Sequence, residues 1–202
     1  MSTRPYNRKG RLARADELTA DILDSVLELV EEMDVADVNL ELAAKTAGVS
    51  VPTIVRKFES KDGLYAAAFA RARLLYKPER ERSPADTDVA AFLVRAQLSI
   101  YERWGHALIY LRTRERQWPT VHEELEKGRI ERRRWLKVIL AEILDTKMLS
   151  NDLVDQVFAL TDVHFWAVFR LDMGSGKKRT QAAMEHALRT FLSRQKNPGD
   201  PT

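Results

Sequence analysis

Thr53, Arg56, Lys57 and Lys61 fall within one short stretch of the chain, and Val51, Pro52 and Val55 are interleaved with them. A threonine hydroxyl can donate to or accept from a base edge. A guanidinium can grip guanine through two parallel hydrogen bonds, and an ammonium can neutralise a phosphate. Small apolar side chains suit the methyl group of thymine. The chemistry on offer is recognition of duplex DNA rather than bond-making.

These side chains need a short helix to present them. Ser50 is placed to cap one, and Pro52 falls in its first turn, where a missing N–H costs nothing. Such a helix would expose Thr53, Arg56 and Lys57, with Ile54 and Phe58 at the spacing of a packing face. Asn39 starts a preceding helix through Leu40, Ala43 and Ala44, and Ala47-Gly48-Val49 makes a tight turn between the two. A Gly-hinged pair with a cationic second helix has the design of a helix-turn-helix.

Around that pair the periodicity is helical almost throughout, and the expected class is all-α. Asp16 can cap a first helix with a stripe of Ile22, Val26, Leu29, Val30 and Met33. Ser60 opens a fourth helix running towards Tyr76. The polar run 77–84, bracketed by Pro78 and Pro84, reads as a linker. Beyond it, helices are expected over 88–104, 106–117, 121–144, from Ser150 or Asn151 to Met173, and 177–194. Gly174 is a left-handed stop. The organisation is a flexible basic arm over 1–14, a helix-turn-helix domain over 15–76 and a helical unit over 84–195. The arm carries Arg4, Arg8, Lys9, Arg11 and Arg14 with no acid before Asp16, an electrostatic handle for phosphates.

The 202 residues can bury a sizeable core, and the net charge of +3 is mild. No apolar run approaches the ~20 residues of a membrane span. The opening residues hold no apolar signal core, and cysteine is absent, which excludes thiolate nucleophiles and zinc-thiolate sites. A cytoplasmic protein is expected. Gly-x-Ser-x-Gly and His-Glu-x-x-His are missing, and none of the four histidines has Glu three residues before it. No enzyme activity, metal or cofactor is expected. Two segments imitate other sites. Lys127 to Trp135 is basic, but its helix also carries Glu123, Glu124, Glu126 and Glu131, with Glu123 four residues before Lys127, and reads as an ion-paired helix face. Gly174 to Thr180 lacks the first glycine of a phosphate loop, with Leu171 in its place.

Ile22 to Phe69 resembles the DNA-binding domain of the TetR family of bacterial regulators. The matching residues are Ile22 to Val30, then Leu40, Ala43, Ala44, Ala47, Gly48, Val49 and Ser50, then Pro52, Thr53, Ile54, Phe58, Ser60, Lys61 and Leu64. Two positions depart from the family pattern: Asp34 stands where helix one usually ends in Gly, and Val55 where a tyrosine is usual. The resemblance implies that Val51, Pro52, Thr53 and Val55 meet base edges. Arg56 and Lys57 then reach phosphate or guanine, and Asn39 and Lys61 hold phosphates at their helix starts. The DNA-binding set is completed by the capping Ser50.

The resemblance also implies a homodimer on a palindromic operator, acting as a repressor released by a small molecule bound in the C-terminal unit. The pairing surface is expected on the helices around 153–171 and 177–194. Trp104, Tyr110 and Trp166 are the candidate ligand contacts. The alternative is a DNA-binding or scaffold regulator without an effector, its bundle serving only dimerisation or protein docking.

Overall fold

The structure is a computed structural model that describes residues 8–75, 88–144 and 149–196. The start of the basic arm, the 77–84 linker and the tail 198–202 lie outside the described residues. All regular structure among the described residues is helical. The chain divides into two compact units, Met1–Leu74 and Leu75–Thr202.

The first unit holds α1 (Arg8–Glu32), α2 (Leu40–Thr46), α3 (Val51–Phe58) and α4 (Lys61–Leu75). Ile22 and Val26 of α1, Ala43 and Ala44 of α2, Ile54 and Phe58 of α3, and Leu64 and Ala68 of α4 are buried. The first helix does not start at Asp16. It reaches back to Arg8, across Gly10, ahead of the strong helix formers Leu12, Ala13, Arg14 and Ala15. Residues 8–14 of the expected flexible arm are therefore helical. Met33 falls just past the end of α1 and is exposed.

Asp34 avoids the left-handed conformation its position suggests. Its carboxylate accepts the Ala36 amide at 2.9 Å and its carbonyl accepts the Asp37 amide at 3.0 Å, an Asx turn that needs no glycine. Among the described non-glycine residues the left-handed φ belongs to Glu59, at 68°. The Tyr65 hydroxyl, buried in α4, lies 2.6 Å from the Val35 carbonyl and 2.8 Å from that of Val38. It pins the α1–α2 connection to α4. Arg71 of α4 grips Asp24 of α1 through two bonds of 2.9 and 3.0 Å.

The second unit holds α5 (Val89–Arg114), α6 (Pro119–Ile143), α7 (Asn151–Leu160), α8 (Val163–Ala167), a π-helical turn (Val168–Asp172) and α9 (Lys177–Lys196). Leu93, Leu136, Leu140, Val154, Val157, Trp166, Met184 and Leu188 form its core. Two helix boundaries differ from those expected. The boundary expected between 104 and 106 is present inside α5 as a kink, where Trp104 leaves helical geometry at φ −127°, ψ 15°, although the second segment stops at Arg114 rather than 117. The Trp166 indole packs against Gly105 at that kink. Conversely, the helix expected from Ser150 to Met173 is broken at Thr161 and Asp162.

Buried charge explains the break. Asp162 caps α8 by accepting the His164 amide at 3.0 Å. It also receives two bonds from Arg112, of 2.8 and 3.0 Å, and one of 3.2 Å from Arg132, which is only 5 % exposed. Arg132 further donates to the Phe158 carbonyl at 3.0 Å and the Thr161 hydroxyl at 2.6 Å. Burial pushes the Asp162 carboxyl upward, but Arg112, the Arg132 charge and the His164 amide outweigh it and hold it well below the usual range. Nearby, Glu102 accepts Trp166 Nε1 at 2.8 Å and Arg170 Nε at 3.0 Å. Gly174, at φ 60°, ends the π turn as expected.

Candidate nucleic-acid interface

The pair α2–α3 is built from local signals. Asn39 Oδ1 accepts the Leu42 amide at 2.8 Å and starts α2. At its other end the Val49 amide donates to the Ala44 carbonyl at 2.9 Å. Gly48 takes φ +65°, which a side chain adopts only at a cost. Ser50 is extended (φ −86°, ψ 150°) and hands the chain to α3.

Ser50 does not cap with its side chain. The second helical residue is Pro52, which has no N–H to offer, and the Thr53 amide already donates to the Ser50 carbonyl at 2.9 Å. The serine hydroxyl pairs instead with the Thr53 hydroxyl at 2.9 Å.

Ile54 and Phe58, one turn apart, are buried and anchor α3. The opposite face carries Pro52, Val55 and Arg56, all exposed, with Val55 at 41 %. Val51 and Thr53 are half-buried at its edge. Lys57 departs from the expected exposure. Its ammonium turns back to α1, donating to the Ala15 carbonyl at 3.0 Å and to Thr19 Oγ1 at 2.6 Å.

Lys61 opens α4 with its ammonium 3.4 Å from the Ala36 carbonyl and 5.4 Å from the centre of the Tyr65 ring. One backbone amide of this helix start is already engaged, because the Ser60 hydroxyl accepts the Gly63 amide at 3.2 Å and also donates to the Asp62 carboxylate. The junction is tight. A Cβ at Gly63 would fall 2.0 Å from the Phe58 carbonyl oxygen. Nothing in the residue types of Glu59 or Gly63 signalled this corner; the packing of α4 on the end of α3 imposes it.

The candidate ligand residues are all engaged in ring contacts. Trp166 is a core side chain, 1 % exposed, edge-on to His106 at 5.7 Å. Trp104 is buried at the α5 kink, with the Arg103 guanidinium 4.9 Å from its ring centre. Tyr110 stacks edge-on with Trp118 at 6.0 Å. A groove of about 460 Å³ lies elsewhere, between Ile130, Arg133, Arg134 and Lys137 of α6 and Asn151, Val154 and Asp155 of α7. The basic stretch 127–135 is ion-paired as expected, though Lys127 pairs with Glu124 at 2.5 Å rather than with Glu123. Arg129 bonds Glu115 and Glu126, and Arg133 bonds Asp155. Among the described residues no helix is long and apolar enough to cross a membrane.

Residues 22–68 match the family described as bacterial regulatory proteins, tetR family. No curated protein matches the chain in sequence. Among solved structures, a TetR-family transcriptional regulator from Streptomyces coelicolor superposes with a TM-score of 0.65 at 18% identity, over 88% of this chain and 80% of that one. A protein from Rhodococcus sp., assigned to the same family, gives 0.64 at 15% identity, over 86% and 98%. A TetR regulator from Rhodococcus sp. RHA1 gives 0.52 at 19% identity, over 88% and 97%. These likenesses extend to the second unit, where they concern the fold. The chain therefore carries the DNA-binding domain of the tetR family of bacterial regulatory proteins.

Proposed function

We propose that the protein is a cytoplasmic, non-enzymatic transcription regulator that binds a near-palindromic operator as a homodimer and acts as a ligand-responsive repressor. The observation that carries the DNA reading is the outward face of α3. Pro52, Val55 and Arg56 are exposed together on a helix whose back, Ile54 and Phe58, is buried. Val51 and Thr53 add edge contacts, and Asn39 and Lys61 stand by the phosphates. Val55, where relatives carry tyrosine, exchanges a phosphate-holding hydroxyl for a contact to a thymine methyl.

Pairing is supported by apolar side chains left exposed on the π turn, Val168 and Leu171, and just past it, Met173. Beside them Phe165 and Phe169 pack with ring centres 5.6 Å apart, and Ala183, Ala187 and Phe191 of α9 are half-buried. Small residues at that spacing allow close helix approach between subunits. A two-fold dimer presents two equal readers, hence the palindrome.

The packing of the second unit favours a second reading for its role. What supports it is that Trp166, one of the three candidate ligand contacts, is a core side chain bonded to Glu102. In that reading the bundle serves pairing or protein docking and no small effector acts. Footprinting the protein on the DNA flanking its own gene tests the DNA reading: a protected two-fold site supports it, and uniform cleavage refutes it. Screening small molecules for release of that complex separates effector response from its absence.

A further inference from the structure

Lys57 stands on the reading helix yet spends its charge on α1. An ammonium has three donors, and two of Lys57's are used: on the Ala15 carbonyl at 3.0 Å and on Thr19 Oγ1 at 2.6 Å. The Thr19 hydroxyl donates its own proton to the same Ala15 carbonyl, at 2.7 Å. That leaves its lone pairs for the lysine. A carbonyl and a hydroxyl one turn apart on α1 thus form a two-oxygen receptor of neutral groups. Asp16, the acidic neighbour of Ala15, is exposed, and no bond to Lys57 is formed by it.

Lys57 adjoins both Arg56, which is exposed on the outward face, and Phe58, which is buried. A side chain at that boundary can swing either way. To reach a phosphate it must surrender two bonds to a charged donor, which are among the stronger hydrogen bonds in proteins. We propose that Lys57 is a positioning residue: through Thr19 and Ala15 it fixes the roll of α3 on α1, and thereby which side chains meet the bases. A recognition surface must be held to within about half an ångström to discriminate. The strut crosses 38 residues of sequence from Thr19. This inference rests on the reading of α3 as the DNA-reading helix.

Thr19→Val tests it without altering any charge. The duplex is the one that wild-type protein enriches from a random pool. We expect Thr19→Val to bind it about tenfold more weakly, with an unchanged dependence on salt. Affinity for scrambled duplex should hold, so that specificity falls. Lys57→Met should lose specificity likewise, and the double variant should be no worse than Lys57→Met alone. Thr19→Ser, which keeps the hydroxyl, should restore wild-type binding. If Thr19→Val binds as wild type while Lys57→Met lowers the salt slope by about 0.9 per subunit, Lys57 is a phosphate contact and the proposal falls.

A second readout needs no variant. The Lys57 ammonium protons of the wild-type protein should be protected from exchange in the free state and unmoved by DNA; a large shift on adding DNA overturns the strut. If the wild-type protein enriches no duplex, it is the DNA reading itself that fails.

Discussion

The indole of Trp166 occupies the space where Gly105 has no side chain. A Cβ on Gly105 would fall 2.4 Å from two carbons of that ring. Trp166 cannot retreat easily, since its Nε1 is bonded to Glu102, which is itself gripped by Arg170. The kink of α5 and the short helix α8 are therefore fitted to one another.

Gly105→Ala should overpack this contact and destabilise the second unit by about 1–3 kcal/mol, or more if the indole cannot shift. Thermal unfolding followed by tryptophan fluorescence checks it. A variant as stable as wild type would show that the contact is slack.

Asp162→Asn should cost about 3–5 kcal/mol, because Arg112 and Arg132 would lose their buried counter-charge. The pH dependence follows from the lowered carboxyl. In the fold Asp162 binds a proton less readily than in the unfolded chain. Its stabilisation is full above the ordinary carboxylate value, about 4, and is lost as pH falls below it. Urea unfolding from pH 7 to pH 3 should show a shallower acid decline in Asp162→Asn than in wild type.

How much of this was legible in the sequence depended on distance along the chain. Asn39 capping α2, Gly48 at the turn, Pro52 in a first turn, and Gly174 at a stop are local chemistry, readable from a few residues. The buried pair Ile54 and Phe58 followed from helical spacing. What escaped was set by partners far away. The break at Asp162 is dictated by Arg112 and Arg132, 50 and 30 residues distant. The turning of Lys57 towards α1 depends on Thr19. Residue type at one position could not announce any of these.

The corner between α3 and α4 should respond oppositely to two substitutions. Glu59→Gly relieves a side chain held at φ 68° and should stabilise the first unit by up to about 1 kcal/mol. Gly63→Ala drives a Cβ into the Phe58 carbonyl and should destabilise it by at least ~2 kcal/mol. Chemical denaturation followed by circular dichroism distinguishes the two; a neutral Gly63→Ala would contradict the packing described.

Leu171→Glu places a charge on the exposed apolar side of the π turn. If that surface pairs two subunits, the variant should dissociate at concentrations where wild type is dimeric, with its helical content intact. Sedimentation equilibrium reads the outcome. An unchanged dimer would move the pairing surface elsewhere.

The most direct test of the DNA-reading claim is the salt dependence of binding to the footprinted site, for wild type and Arg56→Ala. With about four phosphates neutralised per subunit, log affinity should fall with log salt at a slope of roughly −7. Arg56→Ala should weaken binding by about 1–3 kcal/mol if the guanidinium reads a base. A slope near that of a single contact, with Arg56→Ala indistinguishable from wild type, would contradict the placement of α3 in the groove.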